Sequence, residues 1–165
     1  MIHLIPHTQA ADRPGWVGDD DLRPLSDIGR DQAMAIARVL GAVDAAYSSP
    51  ARRCLETVAP LVVSGIELVT LDELREHQPG ESFGDVAARM FSVLSHCRDR
   101  HPPQEVVAVC SHGDAIPITV AALVARHGLE DPPRIDRGGW YELDFGDTTD
   151  DDVVHIEARG TLLNE

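Results

Sequence analysis

Val106-Val107-Ala108-Val109-Cys110-Ser111-His112-Gly113-Asp114 is the stretch on which the fold turns. Its opening is continuously apolar and rich in valine, which suits a central strand covered on both faces. A helix is predicted to start at Gly113 or Asp114 and reach about His127, where Gly128 supplies a C-cap. A strand that delivers a histidine to its carboxyl end, next to a helix start, places that side chain where open α/β sheets bind ligands. The N-terminus repeats the pattern, because Ile2-His3-Leu4-Ile5 reads as a short buried strand running through Pro6 into His7.

Working outward, strands and helices alternate. A polar loop runs from Thr8 to about Pro24. Ser26 is expected to N-cap a helix to about Leu40, with Ile28, Ala33, Ile36, Ala37 and Leu40 on its apolar face. Ala45 to Ser48 is a second strand, followed by a helix from Pro50 to about Val63. Ile66 to Leu71 is a third. Ser82 and Asp85 resemble a capping box for a helix from Phe83 to about Arg100. The tail offers strands at Gly139 to Phe145 and Val153 to Glu157, joined by an acidic turn, Asp147 to Asp152. This order predicts a three-layer α/β/α sandwich with a mostly parallel central sheet and a final hairpin at one edge. No repeat or linker divides the chain, so residues 1–165 are expected to form one domain.

Composition narrows the function classes. The chain is 43% hydrophobic and 25% charged, ordinary for a globular protein. Its net charge of -14 argues against nucleic-acid or anionic-membrane partners, which require positive surface. No apolar run approaches the roughly 20 residues that span a bilayer. The N-terminus lacks the marks of a secretory signal, so a cytoplasmic protein is expected. Every basic residue is arginine, a compositional bias that matters only where an individual guanidinium could grip an oxyanion. Cys54, Cys97 and Cys110 lack metal-binding spacing and read as reduced thiols. The sequence leaves the oligomeric state open.

The ordered set His7, Ser48-Ser49-Pro50-Ala51-Arg52-Arg53 and Ser111-His112-Gly113 resembles the histidine phosphatase superfamily, also called phosphoglycerate mutase-like. Further marks are Leu25-Ser26-Asp27-Ile28-Gly29-Arg30-Asp31-Gln32-Ala33 at a helix start, Thr57 in the next helix, and Gly80-Glu81-Ser82 before the third. The resemblance spans residue 2 to about 145 and implies a phosphoglycerate mutase-like fold. Only Gln78-Pro79 separates Glu76 and His77 from the Gly-Glu-Ser motif that begins at Gly80. The cap is therefore minimal, as in the compact phosphohistidine phosphatase-like branch.

That resemblance implies roles. His7 is similar to the nucleophile that forms a transient phosphohistidine, Arg53 to the arginine that binds phosphoryl oxygens, and His112 to the second histidine, which donates to them. Glu76 resembles the acid that protonates the leaving group, with Asp114 as its competitor. Arg13, Thr8, Gly113 and Asp114 are expected to bind substrate, the last two through the start of the following helix. The expected ligand is a small phosphorylated molecule or a phosphohistidine protein, handled without metal or other cofactor.

One position departs from the resemblance. Most of the family reads Arg-His-Gly where this chain reads Pro6-His7-Thr8. A charge-assisted hydrogen bond contributes roughly 1.5–3 kcal/mol, so losing an arginine there reduces phosphate binding on the order of 10- to 100-fold unless another group compensates. Arg13 is the expected compensator, with a plain ion pair to Asp19 or Asp20 as its alternative role. The functional expectation is accordingly a phosphatase working through His7, with an impaired or repurposed anion-binding protein as the alternative.

Overall fold

The computed structural model describes residues 1–63, 65–146, 153 and 155–160. Six strands form one sheet: β1 (Ile2–Pro6), β2 (Ala45–Ser48), β3 (Leu68–Thr70), β4 (Val107–Ser111), β5 (Gly139–Asp144) and β6 (His155–Gly160). Their order is β3-β2-β4-β1-β5-β6. The first four in that row are parallel, and β5 and β6 add an antiparallel edge. All five residues of β4 are buried, as its unbroken apolar sequence requires.

The pleat sorts side chains into two cores. Ile2, Leu4, Tyr47, Val107 and Val109 face α3 (Phe83–Arg100) and α4 (Ala115–His127), meeting Val86, Met90, Leu94, Ile116 and Val120. Ile5, Ala46, Ala108 and Cys110 face the opposite layer, where α1 (Asp27–Leu40) contributes Ile36 and α2 (Arg52–Val58) contributes Cys54 and Val58. The three-layer α/β/α sandwich with a mostly parallel sheet is what the alternation of elements predicts.

Several local expectations change. The helix expected from Pro50 to Val63 runs α-helically only over Arg52–Val58 and tightens into a 3-10 turn at Ala59–Leu61. Pro60 has no N–H to continue the α-helical ladder. Strand β3 is shorter than Ile66 to Leu71, and β6 begins at His155, with pairing from Asp144↔His155 to Gly139↔Gly160 setting its register. Ile28 stands 57% exposed instead of joining the apolar face of α1. The acidic turn Asp147 to Asp152 lies outside the described residues.

Gly29, beside Ile28, explains how α1 meets the site loop. A Cβ at this position would lie 1.9 Å from the Gln9 carbonyl oxygen. The helix can therefore press on residues 8 and 9 only because its first turn lacks a side chain there. Ser26 reinforces the contact, its N–H and Oγ both donating to the Gln9 carbonyl. Gly29→Ala is expected to destabilise the protein by about 1–3 kcal/mol through overpacking, read as a lowered thermal midpoint.

Candidate active site

The order of strands reverses at the β1–β4 boundary, and the site forms at the carboxyl ends of these two neighbours. Their register pairs Pro6 with Ser111, and the His7 N–H continues the ladder to the Ser111 carbonyl at 2.9 Å. The next residue on each strand is a histidine. The rings of His7 and His112 sit nearly perpendicular, with centroids 5.3 Å apart.

Their partners set their tautomers. His7 Nδ1 lies 2.8 Å from the Thr8 carbonyl, which can only accept, so Nδ1 carries the hydrogen and Nε2 keeps its lone pair. Arg53 Nη2, which can only donate, lies 3.3 Å from His112 Nδ1. The hydrogen of His112 is therefore on Nε2, which donates to Ser49 Oγ at 2.9 Å. Burial, followed for His112 by the neighbouring His7 and Arg53, pushes both rings towards neutrality. The His7 pKa falls to about 4 and that of His112 to about 2.

These depressed values carry a pH signature. Between about 4 and the ordinary 6.5 the unfolded state binds protons that folded His7 and His112 refuse. Stability consequently rises with pH across that window and falls on acidification. The urea midpoint is expected to drop steadily from pH 6.5 towards 4, and a flat profile would contradict the neutral pair.

Arg53 is fully buried on α2 beneath the two rings. Besides His112 it reaches the Asp20 carbonyl at 2.8 Å, the Asp20 carboxylate at 3.3 Å and Glu76 Oε2 at 3.3 Å. Its Nε has no acceptor among the described residues. Asp20 also binds Arg23 at 2.8 Å and Arg13 at 2.9 Å, and these guanidiniums hold its carboxyl well below the usual range. Thus two protein carboxylates, Asp20 and Glu76, stand among three arginines, Arg13, Arg23 and Arg53.

The short cap segment is held from α3. Arg89 donates to the carbonyls of Arg75 at 2.8 Å and Glu76 at 3.1 Å, and to the Glu81 carboxylate. That pairing lowers the Glu81 pKa to about 2. Ser82 and Asp85 complete the capping box beside it. The Gly-Glu-Ser motif therefore has a mechanical purpose, since it anchors the segment that presents Glu76.

A cavity of about 570 Å³ unites most of the expected residues: His7, Arg13, Arg53, Glu76, His112, Gly113 and Asp114 all line it. Arg13 makes the ion pair that was its alternative role and also stands on the cavity wall. It is 64% exposed at the cavity wall and paired to Asp20, 3.7 Å from Glu76. Asp114 caps α4 through the Ala115 N–H and also accepts from the His77 N–H. Thr8 does not reach the cavity. Its side chain is fully buried and turned inward, Oγ1 donating to the Gly29 carbonyl while its N–H donates to Thr57 Oγ1.

Arg137 was not among the expected residues. It lines the same cavity from the loop before β5, and its guanidinium makes no hydrogen bond or ion pair with the described residues. Nothing in its local sequence marks it. It reaches His7 only because β5 pairs with β1 instead of with β4.

Two adjacent histidines and a buried arginine thus meet at the switch point of a doubly wound sheet. The model of the histidine phosphatase superfamily (branch 1) matches residues 2–80 and 76–154, and the chain belongs to that superfamily. No curated protein matches by sequence. Among solved structures, a mycobacterial glucosyl-3-phosphoglycerate phosphatase complexed with VO3 is 24% identical, with TM-score 0.72 over 96% of this chain and 95% of that one. The phosphoserine phosphatase of Entamoeba histolytica, in complex with 3-phosphoglyceric acid, is 17% identical, with TM-score 0.69 over 87% and 90%. The protein histidine phosphatase SixA complexed with tungstate is 20% identical, with TM-score 0.59 over 86% of each chain. These likenesses show a common fold.

Proposed function

We propose that the protein is a phosphatase that takes a phosphoryl group from a small phosphorylated molecule or a phosphohistidine protein onto His7 Nε2. The observation that carries this reading is the Nδ1–H bond of His7 to the Thr8 carbonyl. It leaves a neutral ring with its lone pair on Nε2 in a cavity rich in arginine. The VO3 and tungstate bound in relatives named as phosphatases support it.

In the first step Nε2 attacks phosphorus, the bond from phosphorus to the leaving atom breaks, and its electron pair departs with the leaving group. Arg53 and Arg13 bind the phosphoryl oxygens by charge-assisted hydrogen bonds, Arg137 adds a cation from the β5 side, and Gly113, just before α4, borders the positive dipole end of that helix. Binding draws Arg53 and Arg13 from Glu76, whose carboxylate takes the proton that a monoanionic phosphoryl group brings in and passes it to the leaving atom. Asp114, committed to two backbone N–H groups, is less free for that task. When Arg53 Nη2 leaves His112 Nδ1 for the phosphoryl group, the Ser49 hydroxyl can turn to donate to Nε2, and the other tautomer of His112 then presents Nδ1–H to the same group. Water then attacks phosphorus and gives a proton to the Glu76 carboxylate as the bond from phosphorus to Nε2 breaks, its electron pair returning to His7 and phosphate being released.

Incubation with acetyl phosphate, an acid-free quench and peptide mass analysis test the reading. Phosphohistidine at His7 and release of phosphate are the expected results. Phosphate binding by calorimetry without any adduct or hydrolysis would favour the second reading, an anion-binding module. Pro6 is the residue that motivates it.

A further inference from the structure

A second cavity, of about 420 Å³, opens on the other side of the catalytic rim and shares His7, Gly113 and Arg137 with the first. Its character is different. Pro6, Ile116, Pro117, Ile135 and Tyr141 supply its walls, with Asp136 and Arg137 at the polar side. The Tyr141 hydroxyl is already donated to the Pro133 carbonyl at 3.3 Å, so the residue offers the recess its ring. Pro6 adds neither a charge nor an N–H. The residue that weakens the phosphate grip is thus also part of the apolar wall.

The two cavities adjoin, with His7, Gly113 and Arg137 lining both. A Cβ built at Gly113 meets no heavy atom within 4 Å, so this residue faces open space and puts no side chain of its own between the cavities. A ligand held by its phosphoryl group beside His7 has two directions available. One leads out among Arg13, Glu76 and Asp114, and the other leads over Gly113 into the apolar recess.

We propose that this recess is the subsite for the organic part of the substrate, and that the substrate class is a phosphomonoester of a small apolar alcohol. The assignment deepens the phosphatase reading and rests on it for the position of the phosphoryl group. An alkyl or aryl group there would bury against Pro6, Ile116 and Ile135. A polyhydroxylated sugar would instead lose water with only Asp136 and Arg137 on the polar side to partner its hydroxyls. Arg137, at the junction, faces the phosphoryl end while the chain passes beneath it.

The n-alkyl phosphates test this directly, because lengthening the chain from methyl to butyl barely alters the leaving group while adding apolar surface. Burial of each methylene contributes about 0.8 kcal/mol, so kcat/KM is expected to rise about three- to fourfold per carbon until the recess is full. The matching alkylphosphonates, which are not hydrolysed, should show the same progression in calorimetric affinity. In Ile135→Trp, where an indole occupies the recess, and in Pro6→Arg, where a guanidinium enters it, the butyl-to-methyl ratio is expected to collapse towards one. Equal wild-type affinity for methyl- and butylphosphonate, no phosphonate binding, or an unchanged ratio in both variants would overturn the subsite. A rising phosphonate series with no ester hydrolysis would instead overturn the phosphatase reading and keep the subsite.

Discussion

His7→Ala is expected to reduce turnover to no more than about 10⁻⁴ of the wild-type rate and to eliminate the phosphoenzyme altogether. The size of the loss follows from what no neighbour can replace. His112 offers its own Nδ1 to Arg53 and its Nε2–H to Ser49, and lies lower in the site with a pKa of about 2. It has neither a free lone pair at the cavity nor the basicity of the outer ring. Anion binding should survive, because Arg53, Arg13 and Arg137 are untouched by the change. Burst kinetics, intact-protein mass and phosphate calorimetry together check it. Hydrolysis within tenfold of wild type, or an adduct on another residue, would remove His7 as nucleophile.

The parts of this molecule that could be read in advance are those written locally. Val106 to Cys110 and Ile2 to Ile5 are short apolar runs, and such runs become central strands whatever surrounds them. Ser26 and Ser82 cap their helices as their positions predict. Two histidines at strand ends come together because parallel neighbours finish on the same edge of a sheet. What escaped was the direction in which side chains turn and everything set by pairing across the sheet. Thr8 was expected at the substrate, yet the first turn of α1 takes its hydroxyl through the Gly29 carbonyl. Asp20, at the start of a short 3-10 turn (Asp20–Leu22), becomes the shared counter-ion of three arginines only after residues 13–23 fold back over α2. Arg137 required knowledge that β5 lies against β1. The same packing turns Pro6 from a lost cation into a wall of the second cavity.

Arg53→Ala is the second large effect to expect, and here the charge ledger decides which quantity falls. Asp20 keeps Arg13 and Arg23 after the substitution, and Glu76 is 33% exposed with Arg13 3.7 Å away, so no carboxylate is left stranded in the interior. The stability cost should therefore stay near the ordinary range for a buried truncation, about 1–3 kcal/mol. Catalysis should suffer far more. A guanidinium placed on a phosphoryl transition state is worth about 10³–10⁵ in rate, and Arg53 is the buried arginine in contact with His112. Arg53→Lys separates geometry from charge, because one ammonium cannot reproduce the planar fork that now meets Asp20, Glu76 and His112 together. It should recover only part of the lost rate, while Arg13→Ala, removing a mostly exposed side chain, should cost less than either. Steady-state kinetics beside urea titrations of the three variants would check the order. An Arg53→Lys enzyme as fast as wild type would mean that positive charge alone suffices, and the fork geometry of Arg53 would then have no part in the reaction.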